Sequence, residues 1–320
     1  MTAAEIDRFI PVSLATISPS ESTDFPLYIR EDPKSPIQLY RDEEYPLTAA
    51  DIQRLIDRGV KRLYVTLCDH ESYQRYIREN FSSVLEDESL PVERRFGCLN
   101  EIVRDVLAEA FTQRDTTKTV EVAQELAVQT VELICRADVM ALELMKVLHH
   151  DYHTFTHSAN VSYYSVLLAK ASGITNENDL RMIATGALLH DVGKLEIADS
   201  ILKKQGRLDE DEWEVIKQHP TNGLRLLADR DDLNFGQLMM VYQHHERIDG
   251  SGYPVRVSES SIHPWAQICA VVDIYEALTS HRPYRPGLPK QQTIAILDRQ
   301  AGSRLDQGLW ECWKKIIQNC

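Results

Sequence analysis

The feature that most constrains this chain is a spaced series of histidine and aspartate: His157, then His190-Asp191, then His219, then His244-His245, then Asp273. Nine of the eleven histidines lie between His149 and His263, most beside Asp, Glu, Gly or Pro. His153 and His157 are one helical turn apart and project from the same face of a helix. His190-Asp191 closes an apolar helical pattern, ALLHD, just before Gly193. Asp273 sits in the apolar run ICAVVDIYEAL. A carboxylate buried there without a partner would be strongly disfavoured, and a bound cation is one partner that relieves it.

Imidazole and carboxylate donors without cysteine suit first-row ions such as Fe, Mn, Co, Ni or Zn. The set is large enough for two. Two ions about 3.5–4 Å apart that share a carboxylate can clamp a phosphate and turn water into hydroxide for in-line attack. Asp191, directly after a histidine at a helix end, is the natural bridge. An isolated His-Asp pair means little: His150-Asp151 is another, with no Gly-Lys after it, and reads as structural or near the site mouth. The whole series is too ordered for packing noise.

The 320 residues favour two units over one. Residues 1–96 mix strand and helix signals into a small α/β lobe of regulatory or docking character. Within it, Thr48 caps a helix through Ile52, Leu55 and Ile56, Gly59 ends it, and Arg62 to Leu67 alternates as a strand. Residues 97–148 carry helical periodicity with a break near Arg114 to Thr117. These two long helices link the lobes, pair two copies of the chain as a homodimer, or pack on the C-terminal body. Helical signals dominate 149–320, so the fold class is α+β with an all-α C-terminal bundle.

The 35 Lys and Arg against 49 Asp and Glu leave a net charge of −14 with no basic block, which makes duplex nucleic acid a poor partner. Metal cations can still bring an anionic substrate to such a chain. The six cysteines form no CxxC pair and read as reduced thiols. No apolar run is long enough for a membrane span, and the N-terminus lacks a signal-peptide pattern, so a cytoplasmic location is expected.

With HDVGK at 190–194 and HHERIDGSGYP at 244–254, the region from about 150 to 300 resembles an HD-GYP domain. This is the bacterial branch of the HD metal-dependent phosphohydrolases that degrades cyclic di-GMP. The resemblance implies a helical bundle around metals held by His157, His190, Asp191, His219, His244, His245 and Asp273, with Asp191 bridging. It implies two transition-metal ions, Fe or Mn above others. Lys194 would neutralise phosphate or protonate the leaving 3′ oxygen. Arg282 and Arg285 would hold the phosphates, where a guanidinium fork suits phosphate oxygens. Asp249, Gly252 and Tyr253 would shape the guanine-facing wall.

Two positions depart from the family pattern. His153 stands where members with a third metal place a glutamate, so it either ligates a third ion or donates a hydrogen bond beside two. Glu276 stands one turn after Asp273, where an aspartate is frequent, and its extra methylene would change how the site meets guanine or a metal water. The implied activity is hydrolysis of cyclic di-GMP to pGpG, and on to GMP, by a metal-bridging hydroxide. The rival readings are an HD phosphohydrolase for another cyclic or mononucleotide, and a receptor that binds cyclic di-GMP without cleaving it.

Overall fold

The computed structural model describes residues 9–19, 22–30, 32, 35–60, 62–73, 75–77, 95, 99–100, 102–103, 106–107, 115–136, 154–202, 204, 206–281 and 286–319. The chain divides into two compact units, Met1–Ile102 and Val103–Cys320. Helices dominate, and a small antiparallel sheet lies towards the N-terminus.

In the first unit, β1 (Phe9–Ser13), β2 (Leu27–Ile29), β3 (Gln38–Arg41) and β4 (Arg62–Thr66) form one sheet in the order β1-β4-β2-β3. Every pairing is antiparallel. β3 and β4 do not pair with each other; β4 lies between β1 and β2. Strand alternation turns Leu63 and Val65 inward and leaves Arg62 in solvent. Helix α1 (Ala49–Asp57) starts at Thr48, whose side chain accepts from the Asp51 amide while the Asp51 carboxylate accepts from the Thr48 amide. Gly59, at φ 75°, follows its end. Ile52 and Leu55 are buried, and Ile56 is exposed.

The second unit contains α2 (Thr116–Arg136), α3 (Thr154–Ala171), α4 (Glu177–Leu189), α5 (Asp199–Leu202), α6 (Glu210–Ile216) and α7 (His219–Leu227). It continues with α8 (Phe235–Gln243), α9 (Pro264–Thr279), α10 (Lys290–Asp298) and α11 (Gln307–Gln318). Helix α2 begins at the break expected near Arg114 to Thr117, and it packs on α3 and α4 inside this unit. Most of the first expected helix, before Arg114, lies outside the described residues, as do 137–148 at the end of the second and His150-Asp151. Helices α3 and α9 are buried nearly all round because their apolar side chains are not confined to one stripe. Tyr164, Tyr275 and Trp313 fasten α11 to α3 and α9, with ring centroids 5.1, 5.4 and 5.8 Å apart. No helix among the described residues is long and apolar enough to cross a membrane.

Candidate metal centre

The centre is built on helix ends. The last carbonyls of an α-helix have no partner within it, and here imidazoles take them up. His190, the C-cap of α4, turns Nδ1 to the Ala187 carbonyl at 2.6 Å. His219, which opens α7, turns Nδ1 to the carbonyl of Ile216, the last residue of α6, at 2.8 Å. His244, the C-cap of α8, has Nδ1 3.0 Å from the carbonyls of both Met240 and Val241. A carbonyl only accepts, so each Nδ1 carries the proton and each Nε2 keeps a lone pair.

Those lone pairs converge. The Nε2 atoms of His219 and His244 are 3.2 Å apart, and His190 Nε2 is buried with no hydrogen-bond partner among the described residues. Lone pairs facing each other at that separation repel, and a cation between them removes the conflict. Asp191 meets the imidazoles from both sides. Its Oδ1 lies 3.3 Å from His219 Nε2 and 4.0 Å from His244 Nε2, while its Oδ2 lies 3.4 Å from His190 Nε2 and 3.6 Å from His157 Nε2. Asp273, on α9, spans similarly, with Oδ1 3.1 Å from His157 Nε2 and Oδ2 4.0 Å from His245 Nδ1.

All seven residues named as ligands from the sequence are thus brought together from five stretches of helix and the turns that end them. Two groups have ligand atoms within 4.8 Å of one another: His157, His190 and Asp191, and His219, His244 and His245. This donor chemistry fits a divalent metal. Lys194, in the 3-10 turn Val192–Glu196, places Nζ 2.5 Å from Asp191 Oδ2. A close crossing brings this turn onto α7: a Cβ on Gly193 would lie 1.9 Å from the His219 carbonyl oxygen and 2.4 Å from the Gly223 amide nitrogen.

Charge and burial agree with metal ligation. Burial opposes ionisation of Asp191, but Lys194, His190 and His219 outweigh it and hold the carboxyl well below the usual range. Asp273 is likewise held down against burial, by His157 and His245. Burial, with the Lys194 charge, pushes His219 down to about 4. Burial and neighbouring imidazoles lower His244 and His245 well below the ordinary value. These rings are neutral at pH 7, the form that ligates metal. His157 goes the other way: against burial, Glu276 and Asp273 raise it to about 10.

Two residues expected to meet substrate make contacts within the protein. Glu276 is buried; its Oε2 lies 2.5 Å from His157 Nδ1, and its Oε1 accepts from Asn160 at 3.1 Å and Ser280 at 2.5 Å. It orients the His157 ring, and the extra methylene lets it reach Nδ1 rather than a ligand. Asp249 is exposed and accepts from the Ser251 amide at 2.9 Å, with Arg304 at 3.9 Å. It shapes a turn. Gly252 is buried in that turn, and the Tyr253 ring stacks on His245 at 4.6 Å. His153, Arg282 and Arg285 lie outside the described residues. Sequence reasoning passed over Asn160 and Glu246. Glu246 had a visible signal, an acidic residue directly after His244-His245.

The HD domain family profile matches residues 144–309. The chain belongs to the HD domain family. Membership implies a divalent metal site, and the HD pair of this HD domain is His190-Asp191, at its geometric centre. The resemblance to the HD-GYP branch, read from HDVGK and HHERIDGSGYP, stands with it. The chain is 35% identical to a cyclic di-GMP phosphodiesterase of Pseudomonas aeruginosa, over 48% of this chain and 37% of that protein. It is 34% identical to the cyclic di-GMP phosphodiesterase response regulator RpfG of Xanthomonas campestris pv. campestris, over 68% of this chain and 56% of that protein. A 3'3'-cGAMP-specific phosphodiesterase of Vibrio cholerae is 32% identical, over 52% of this chain and 35% of its own. The chain therefore spans between about a third and somewhat over half of these relatives. A solved HDG"Y"P protein from Bdellovibrio bacteriovorus has the same fold, with a TM-score of 0.71 over 97% of this chain and 99% of that one at 19% identity.

Proposed function

We propose that this chain is a metal-dependent phosphodiesterase that hydrolyses cyclic di-GMP to pGpG, with GMP as a further product. The observation that carries the reading is the position of Asp191, whose two oxygens face different imidazole pairs as a carboxylate shared by two ions would. The names of the P. aeruginosa and X. campestris relatives supply the substrate. Residues 149–320 form the catalytic domain, 97–148 connect it, and 1–96 are a regulatory or docking lobe.

His157, His190 and Asp191 would hold one ion and His219, His244 and His245 the other, with Asp273 reaching both groups. Fe or Mn suits these donors. When bound, the ions supply Lewis acidity towards the phosphate and an activated water at neutral pH. Glu276 fixes the ring of His157, and the helix-end carbonyls fix His190, His219 and His244. Lys194, beside Asp191, holds a proton at Nζ for the departing 3′ oxygen. Arg282 and Arg285 contribute guanidinium forks for the substrate's phosphates, and Tyr253 walls the pocket next to His245.

Metal analysis of anaerobically purified protein, paired with a cyclic di-GMP turnover assay on the same sample, tests this. Asp191→Ala is expected to abolish turnover and reduce metal content, and retention of both would refute the assignment. A second reading has its own support, since relatives from V. cholerae at 32% and 35% identity are named 3'3'-cGAMP-specific. Parallel turnover of the two cyclic dinucleotides separates them. Tight binding with no product from metal-loaded protein would instead identify a receptor.

A further inference from the structure

Glu246 closes the loop that follows the two adjacent histidines, and the chemistry above gives it no role. It is 2% exposed, and its Oε1 accepts from the amides of Val255 at 2.7 Å and Arg256 at 3.0 Å. One oxygen thus joins both limbs of the excursion from His245 to Arg256. Among the described residues, neither amide has another acceptor. Arg256 sits at φ 63°, a left-handed conformation disfavoured for a residue with a side chain, so the loop needs such a tie. The limbs touch directly: a Cβ on Gly252 would lie 2.5 Å from Glu246 Cα. Between them, the Tyr253 amide donates to the His245 carbonyl at 3.3 Å. The Tyr253 ring stacks on His245 with an interplanar angle of 29° and comes within 6.4 Å of the His219 ring.

We propose that Glu246 is a positioning residue for the nucleotide: its carboxylate clasps the 245–256 loop so that Tyr253 stands as a fixed aromatic wall beside His219 and His245. A wall held in place before binding spares the nucleotide the ordering of that loop. Glu246 acts on substrate affinity and leaves the metal donors untouched. The proposal rests on the phosphodiesterase reading.

The test uses the full chain, metal-loaded, as wild type, Glu246→Ala and Glu246→Gln. Amide hydrogen exchange over 253–256, metal content, and kcat and KM for cyclic di-GMP are measured. In Glu246→Ala, exchange at these amides accelerates, metal content holds, and KM rises about tenfold or more with kcat changed less than about threefold. Glu246→Gln, which keeps the acceptor oxygen, recovers most of the affinity. An unchanged KM, a fall in kcat alone, or metal loss in Glu246→Ala overturns the proposal. If Glu246→Ala does not fold, Glu246→Asp keeps the charge, withdraws the oxygen by one methylene, and serves the same comparison. Wild-type protein that fails to turn over cyclic di-GMP defeats the phosphodiesterase reading, whereas unchanged exchange in the variant defeats the clasp, so the two failures are distinct.

Discussion

His157 presents one ring edge to Asp191 and Asp273 and the other to Glu276, which Asn160 and Ser280 hold in turn. A carboxylate behind a ligating histidine fixes the ring and raises its basicity, and its loss typically lowers metal affinity about 10- to 100-fold. Glu276→Gln is expected to weaken metal binding by that factor, read by competition with a chelator; unchanged affinity would remove Glu276 from the centre. The donor cluster was legible in the sequence because donor chemistry is a property of residue type. The role of Glu276 was not. Its spacing from Asp273 puts both on one face of α9, but whether it meets a substrate or a histidine depends on how α3 crosses that face.

At the scale of elements, local chemistry was readable and long-range fit was not. Thr48 and Gly59 bracket α1, and the alternation from Arg62 predicts β4, because caps and strand periods act within a few residues. The order β1-β4-β2-β3 and the approach of the 3-10 turn to α7 depend on partners distant in sequence. Gly193 reads in sequence as a helix break, yet its place is set by the His219 backbone that touches it. Gly193→Ala must push Val192–Glu196 off α7, and with it Asp191 away from His219. Overpacking of this kind costs about 1–3 kcal/mol or more. The expected outcome is a lower urea midpoint together with reduced metal content, and wild-type values of both would contradict it.

For the whole molecule, the buried imidazoles set the response of the metal-free protein to acid. His219 falls from 6.5 to about 4 through burial and the Lys194 charge, and burial moves His244 and His245 the same way. Below its ordinary value the unfolded chain takes up protons that the folded chain refuses, so stability rises with pH in this window. His157 works in the opposite sense: raised to about 10 despite burial, it stabilises fully below 6.5, and that contribution is lost as pH rises through 10. Stability is expected to peak near neutrality and to fall as pH drops from 6.5 towards 4. Denaturant midpoints across that range, with chelator present, check this, and a flat profile would contradict it.

Helices α4, α6 and α8 each end against one imidazole of the cluster, His190, His219 and His244 in turn, next to Asp191. Each such end carries roughly half a negative charge, in a chain whose net charge is already −14. Without cations this convergence disfavours an anion such as a phosphodiester, and it favours a divalent cation. On the phosphodiesterase reading proposed above, the ion would therefore arrive first and the nucleotide second.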